Sequence, residues 1–287
     1  EVAVTLPEYP VPASLEAEDN GSGISLTWSA PDYQNFTPTV VEGAENLTHG
    51  SSDLGEWTTV DADGKNTVES IYIGWDPYTL PGMGFPMGFV ALNPATAEIP
   101  FYNWFDEPTG WEPVGGSQLF ASYAVQDGAA DDWLISPELN GEAQEVVFHA
   151  SGSYNDKLEM MVSTADAQPA SFTSLGTQQM NGNWQTLTAQ LPAGARHFAI
   201  RNVTDGYGSF VAVDDIKYRP LSAKGSLQLD GYSLYCDGAK VADIAATETT
   251  HVDVPAQNGT YRYQLTARYN AGESAAAETV AAFGGSG

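Results

Sequence analysis

The run TYRYQLTARY at 260–269 alternates strictly in character. Tyr261, Tyr263, Leu265, Ala267 and Tyr269 share one parity, and Thr260, Arg262, Gln264, Thr266 and Arg268 share the other. A period of two is the period of a β-strand, so one face of this segment meets a core and the other meets water. The same alternation recurs along the chain while the 3.6-residue period of helices is almost absent, which predicts an all-β protein. NAGE (270–273) turns this strand into a last one, AETVAAF (277–283), and GYSLYCDGAKVADI (231–244) reads as a hairpin turning at Asp237-Gly238.

These segments supply four or five strands of a small sandwich whose opening pair is missing. That pair lies at the other end of the chain. VPASLEAEDNGSGISLTWSAPD (11–32) offers two strands around an Asn-Gly turn, with Ile24, Leu26 and Trp28 on one side of the second. Residues 1–31 and 221–283 together hold 94 residues, near the ~100 of an immunoglobulin-like sandwich. The expected organisation is therefore one split domain, with its first strands in 1–33 and the rest in 221–287, and a second domain, 34–220, inserted after the second strand. An insert is tolerated when its ends lie close together. Residues near 39–45 and 210–218 are accordingly expected on adjacent strands, and Trp28 is expected to pack on strand 260–269.

The insert is also strand-rich, with EVVFHASG (145–152), KLEMMVST (157–164), WQTLTAQL (184–191), HFAIRNV (197–203) and SFVAVDDIKY (209–218) evenly spaced. This predicts two antiparallel sheets in a jelly roll or similar sandwich. Residues 72–113 have no clear period and carry Gly, Pro, Met and aromatics; a long loop of that kind is often functional.

Charge narrows the partners. Asp plus Glu number 37 against 10 Lys plus Arg, a formal net charge of −27. Such a field repels phosphate backbones and anionic lipid, which argues against nucleic acid and membrane surfaces, and it raises the expectation of cation binding. No apolar run approaches the ~18 residues of a membrane span, so no membrane insertion is expected. The single Cys236 excludes an internal disulfide and a cysteine-based zinc cluster, and its strand-like setting makes it a small core residue. The opening VTLPEYPVP reads as a linker, as in a mature or excised piece of a longer chain with further domains.

Two resemblances sharpen this reading. Trp28-Ser29-Ala30-Pro31, Tyr232 through Gly238, and Tyr261-Arg262-Tyr263 running into Ala271-Gly272-Glu273-Ser274 resemble a fibronectin type III domain. In the insert, Glu42-Gly43-Ala44-Glu45-Asn46 and Trp57 through Gly64 resemble the opening of a cleaved-adhesin domain. Asp131 through Pro137 matches that family's middle signature, and Trp184, Leu191 through Gly194, Phe198 through Arg201 and Val213-Asp214-Asp215-Ile216 match its end. This family, also called choice-of-anchor J, occurs in the adhesin regions of gingipain proteases and in many bacterial surface proteins.

The resemblance implies a calcium-containing jelly roll. By itself Asp61-Ala62-Asp63-Gly64 is not an EF-hand loop, because glycine falls at the fourth place and no carboxylate follows at the twelfth. A turn capped by aspartate side chains explains the spacing equally well. With the resemblance, two Ca²⁺ clusters are expected: Glu45 with Asp214, joining first and last strands, and Asp61 with Asp63 near Asp131. Family members often continue DADG with a further acid, whereas Lys65 and Asn66 follow here.

No GxSxG, HExxH, P-loop or GxGxxG-in-βαβ pattern occurs, and His49, His149, His197 and His251 share no ligand spacing, so no enzyme is expected. For binding, the sequence nominates Trp75, Tyr78, Phe85 and Trp104, beside Phe89 and Tyr102. Such rings either stack on sugars or cover an open face of the sandwich. The combined expectation is a non-catalytic, calcium-stabilised, adhesin-like binding module, extracellular or on a bacterial cell surface. Host glycans or extracellular matrix proteins are its candidate partners. The alternative is a carbohydrate-binding accessory module of a larger glycan-degrading or uptake protein.

Overall fold

The computed structural model describes residues 9–73, 75–102, 106, 108–206 and 208–284. Among them there is no α-helix, and two single 3₁₀ turns, Pro169–Ser171 and Leu221–Ala223, are the helical elements. The chain divides into two compact units, one made of residues 39–222 and the other of residues 1–38 with 223–287.

In the discontinuous unit, strands Ala13–Asp19, Ile24–Ser29 and Thr250–Asp253 form one antiparallel sheet. Ala239–Ala245, Leu229–Cys236, Gly259–Tyr269 and Ala277–Phe283 form the other, in that spatial order. Period-two burial follows directly from the alternating sequence: Ile24, Leu26 and Trp28 meet Tyr232, Leu234, Tyr263, Leu265, Ala267 and Tyr269 in a single core. Trp28 sets its edge against the Tyr232 ring at 5.4 Å between centroids. The Tyr263 hydroxyl crosses to the opposite sheet and donates to Asp253 Oδ2 at 2.7 Å. The hairpin turns at Asp237 and Gly238, both at positive φ (49° and 83°), where glycine avoids the steric cost of a Cβ.

The continuous unit is a jelly-roll-like sandwich. Its larger sheet runs Gln185–Leu191, Gln144–Gly152, Phe210–Tyr218, Leu119–Tyr123, Val90–Leu92, with Val40–Glu42 also pairing Phe210–Tyr218. The smaller runs Thr173–Gln179, Lys157–Ser163, His197–Asn202, Asp132–Ile135, Thr58–Asp61. Val40 lies opposite Tyr218 and Glu42 opposite Ile216, so the two ends of this unit are hydrogen-bonded neighbours.

Between the sheets lies a core that includes Phe120, Phe148, Phe198, Leu134, Ile200 and Val213. The larger sheet is apolar on its second face too. There Val90, Leu92, Leu119, Tyr123 and Phe210 are covered by Ile71 and by Leu80, Met83, Ile99 and Trp111, the last four from the parts of the 72–113 segment on either side of Val90–Leu92. That segment is thus a lid of short pieces, including the hairpin Ile71–Ile73/Asp76–Tyr78, and its buried residues complete a second apolar layer.

Candidate functional site

Strand Thr58–Asp61 ends on the turn DADG, and its register places Asp61 directly opposite Asp132. Like charges at directly opposed positions are unfavourable, and here a third acid joins them. One carboxylate oxygen from each of Asp61, Asp63 and Asp132 lies within 4.8 Å of the others. The turn is also capped by its own side chains: Asp61 Oδ1 accepts from Gly64 N at 2.7 Å, and Asp63 Oδ1 from Lys65 N at 2.7 Å. Asp63 Oδ2 accepts from Asp131 N at 2.6 Å, which ties the turn to the neighbouring strand. The stretch is therefore both a capped turn and one wall of an acidic cluster.

Asp132 differs from its partners by being buried, at 1% exposure. Its Oδ2 accepts from Ser122 Oγ at 3.0 Å, and Ser122 Oγ in turn accepts from Asn202 Nδ2 at 2.9 Å. Its Oδ1 has no hydrogen-bond partner. Burial, then the charges of Asp63 and Asp61, push its carboxyl up to about 8. An orphaned buried carboxylate oxygen beside two further carboxylates is the donor set a hard cation takes.

The structure gives Asp131 a different role. Its carboxylate accepts from Arg201 Nε and Trp133 Nε1, both at 2.6 Å, while Arg201 also reaches Glu159 at 3.0 Å and lies over the Trp133 ring. Burial alone would raise Asp131, but Arg201 and the Trp133 donor hold it below the usual carboxylate range. Its backbone, not its carboxylate, meets the turn.

Glu45 and Asp214 grip the same loop at two places. Glu45 accepts from Ser117 N and Gln118 N, both at 2.9 Å, and from Ser117 Oγ at 3.2 Å. Asp214, fully buried, accepts from Val114 N at 2.7 Å, Gly115 N at 3.1 Å and Asp215 N at 2.8 Å. Burial pushes Asp214 up to about 6 despite those donors. The loop can approach because it is glycine: a Cβ on Gly115 would sit 2.5 Å from Asp215 Oδ1, and Gly116 is at φ 60° against Glu45. Asp132 is the acid that the sequence-derived cluster at the turn lacks, and among the described residues Glu45 and Asp214 do not form such a cluster. For Asp132 the signal was present in parity with Leu134, a residue of the inter-sheet core.

Of the nominated rings, Trp75 is 91% and Phe85 69% exposed, whereas Tyr78 packs on the second apolar layer. Trp104 lies outside the described residues. Phe89 is buried between the sheets. Three of the histidines are tied to structural partners: His49 Nδ1 accepts from Asn93 N at 2.9 Å, His197 Nδ1 lies 3.0 Å from the Ser136 carbonyl, and His149 Nδ1 lies 3.3 Å from Thr186 Oγ1.

No family model matches the chain. Sequence comparison finds hemagglutinin A of Porphyromonas gingivalis, 24% identical over 259 residues that cover 81% of this chain and 10% of that protein. Gingipain R1 of the same organism is 24% identical over 258 residues, covering 81% and 13%. The chain thus spans about a tenth of the length of these relatives. The 184 residues of the continuous unit are under two thirds of the chain, so these matches run into the discontinuous unit as well. Among solved structures, the K2 cleaved adhesin domain of Lys-gingipain aligns at 20% identity and TM-score 0.45, covering 63% of this chain and 97% of that domain. The K1 cleaved adhesin domain of Lys-gingipain from P. gingivalis W83 aligns at 17% and 0.45, covering 63% and 98%. The module TmCBM61, solved in complex with beta-1,4-galactotriose, aligns at 11% and 0.35, covering 62% and 99%. In sequence this chain is similar to hemagglutinin A and the gingipains, and the solved domains to which it is similar include cleaved adhesin domains.

Proposed function

We propose that this chain is a non-catalytic, adhesin-like binding module of a secreted or bacterial cell-surface protein. Its jelly-roll-like unit would be stabilised by Ca²⁺ and carried in a split fibronectin type III-like scaffold. The observation that carries the reading is the sequence similarity to hemagglutinin A and gingipains over 81% of the chain. Strand order supports the scaffold. Counting the seven long strands of the discontinuous unit, the first, second and fifth make one sheet and the fourth, third, sixth and seventh the other. This is close to the constant-type immunoglobulin sandwich, differing in that the fourth strand pairs the third and not the fifth.

Calcium is supported by the fit of the residues. Asp132, Asp61 and Asp63 would hold the ion, the orphaned Oδ1 of Asp132 finding its partner there. Glu45, in the turn after the first strand, and Asp214, on the last, are proposed as a second set on the family resemblance alone, since both carboxylates already accept backbone donors. The ion would neutralise crowded carboxylates and link segments far apart in sequence. A second reading, an accessory carbohydrate-binding module of a larger glycan-degrading or uptake protein, is favoured by the exposed Trp75 and Phe85 rings.

The test is a binding screen of the purified chain on immobilised host glycans and matrix proteins, with and without calcium, alongside elemental analysis. Calcium-dependent retention on one of these surfaces is expected. No retention on any surface would overturn the binding-module reading, and absence of bound metal would overturn the calcium part alone.

A further inference from the structure

The segment entering the hairpin Ile71–Ile73/Asp76–Tyr78 runs beside the end of the larger sheet, where Val68 N donates to the Ala124 carbonyl at 2.9 Å. Between this segment and the turns that follow the neighbouring strands lies an open trough. A bay of about 790 Å³ is bordered by Glu69, Tyr72, Asp127 and Asn155. A second, of about 270 Å³, is bordered by Tyr72, Thr109, Ser151 and Tyr154. Ser153 and Ser209 line both bays, as Tyr72 does, so the two are continuous. Tyr72 and Tyr154 are 69% and 74% exposed, large aromatic side chains at the rim.

The floor is built, not incidental. Asp156 is fully buried beneath it and organises both serines. Its Oδ2 accepts from Ser153 N at 2.6 Å, Ser153 Oγ at 2.7 Å and Ser209 Oγ at 3.1 Å, while its Oδ1 accepts from Ser209 N at 3.0 Å. Each hydroxyl proton is thereby directed down into the carboxylate, and the serine lone pairs are left facing outward as acceptors in fixed positions. Gly208 permits this: a Cβ there would stand 2.4 Å from Asp156 Oδ1.

Fixed acceptors, two carboxylates, a carboxamide and two exposed rings suit a ligand that combines hydrogen-bond donors with an apolar face. A pyranose ring offers hydroxyl donors at its edge and a patch of C–H groups on its face, which suits the electron-rich face of an aromatic ring. No Lys or Arg lines either bay among the described residues. Lys65, beside Gly128, donates its Nζ to the Ala129 carbonyl at 2.6 Å. With Glu69 and Asp127 on the walls and a net charge of −27, an anionic glycan or nucleotide would be repelled.

We propose that this trough binds a neutral oligosaccharide. Tyr72 and Tyr154 stack on sugar faces, Ser153 and Ser209 accept from hydroxyls, and Asp127 and Asn155 bond hydroxyls along the wall. The proposal rests on the binding-module reading and specifies its ligand class and position.

The experiment measures the full chain by affinity electrophoresis and titration calorimetry against soluble xylan, galactan, glucomannan and mixed-linkage β-glucan, with heparin as the polyanion. Retention on fibronectin- and fibrinogen-coated surfaces is measured in parallel. At least one neutral polysaccharide is expected to bind and heparin is not. Tyr72→Ala and Tyr154→Ala should each weaken binding about tenfold or more, with melting curves unchanged, while Val280→Ala in the other unit should leave it intact. Neutral-glycan binding undiminished in both tyrosine variants would overturn the proposal, as would a preference for heparin. Retention on protein surfaces with no glycan binding would overturn the sugar assignment and leave the binding-module reading standing. No binding anywhere would overturn both.

Discussion

Replacing Asp132 by asparagine should stabilise the calcium-free protein. In the fold this carboxyl sits at about 8, against an ordinary 3.8, because burial and the adjacent Asp63 and Asp61 oppose its charge. At pH 7 it is therefore protonated in the native state and ionised in the unfolded chain. Holding a proton across that gap costs roughly 4 kcal/mol at 1.4 kcal/mol per pH unit, an upper bound for a coupled buried group. Asn keeps the shape and the bond with Ser122 and removes the titration. The sign follows from proton uptake: between about pH 4 and 8 the native state binds more protons than the unfolded chain. Stability in chelator should thus fall as pH rises through that window and level off above it. Calcium favours the ionised form, so its stabilising effect should grow from pH 5 to pH 8. Binding to the native state alone yields about 2.7 kcal/mol at a hundredfold excess over the dissociation constant. The assay is thermal unfolding at pH 5, 7 and 8, in chelator and in calcium. The Asp132→Asn variant should melt several degrees above the parent in chelator at pH 8, with a flatter pH profile and little response to calcium. A variant that melts below the parent there, with the parent's pH slope and calcium response, would refute the reasoning.

Trp28→Ala should destabilise the discontinuous unit by about 3–5 kcal/mol, read by denaturant unfolding; a loss under 1 kcal/mol would place Trp28 outside a packed core. Arg201→Met leaves Glu159 and Asp131 without their shared cation and should cost roughly 1–3 kcal/mol, reduced by partial exposure; a double-mutant cycle with Glu159→Gln should show coupling, and strict additivity would contradict the ion pair. The Cys236 thiol is pushed up by burial, with Tyr263 acting in the opposite sense. It should alkylate more slowly at pH 7.5 than free cysteine, and an equal rate measured by mass spectrometry would contradict its partly buried setting.

The strands readable in the sequence are those with one wet face. Gly259–Tyr269, Gln185–Leu191 and Ile24–Ser29 alternate in burial as they alternate in composition. Leu119–Tyr123 and Val90–Leu92 are buried at every position, because one face meets the inter-sheet core and the other meets the lid. Residues sealed on both sides carry no period, and so the 72–113 segment reads as a loop although part of it is sheet. The acidic cluster was half readable. Asp61 and Asp63 stand in one motif, but which member of the Asp131-Asp132 pair faces them is decided by register. Trough residues Tyr72 and Tyr154 lie on separate segments with no local signature, and only the tertiary fold sets them on one rim.

The pairing of Val40–Glu42 with Phe210–Tyr218 bears on how a ribosome delivers this protein. Strand Ile24–Ser29 emerges early, yet its partner Thr250–Asp253 is more than 220 residues away. At ~5–20 residues per second it waits roughly 10–45 s with an unpaired edge. The continuous unit is complete before that partner is made, and its folding brings residues 40 and 218 side by side. The span from Ser29 to Leu229 then behaves as a tether of about 20 residues instead of about 200, which lowers the entropic cost of closing the discontinuous sandwich by about 2 kcal/mol. Folding of the continuous unit thus shortens the closure that the discontinuous unit must make, and a lesion that slows it would leave the early strands open to pairing with other nascent chains.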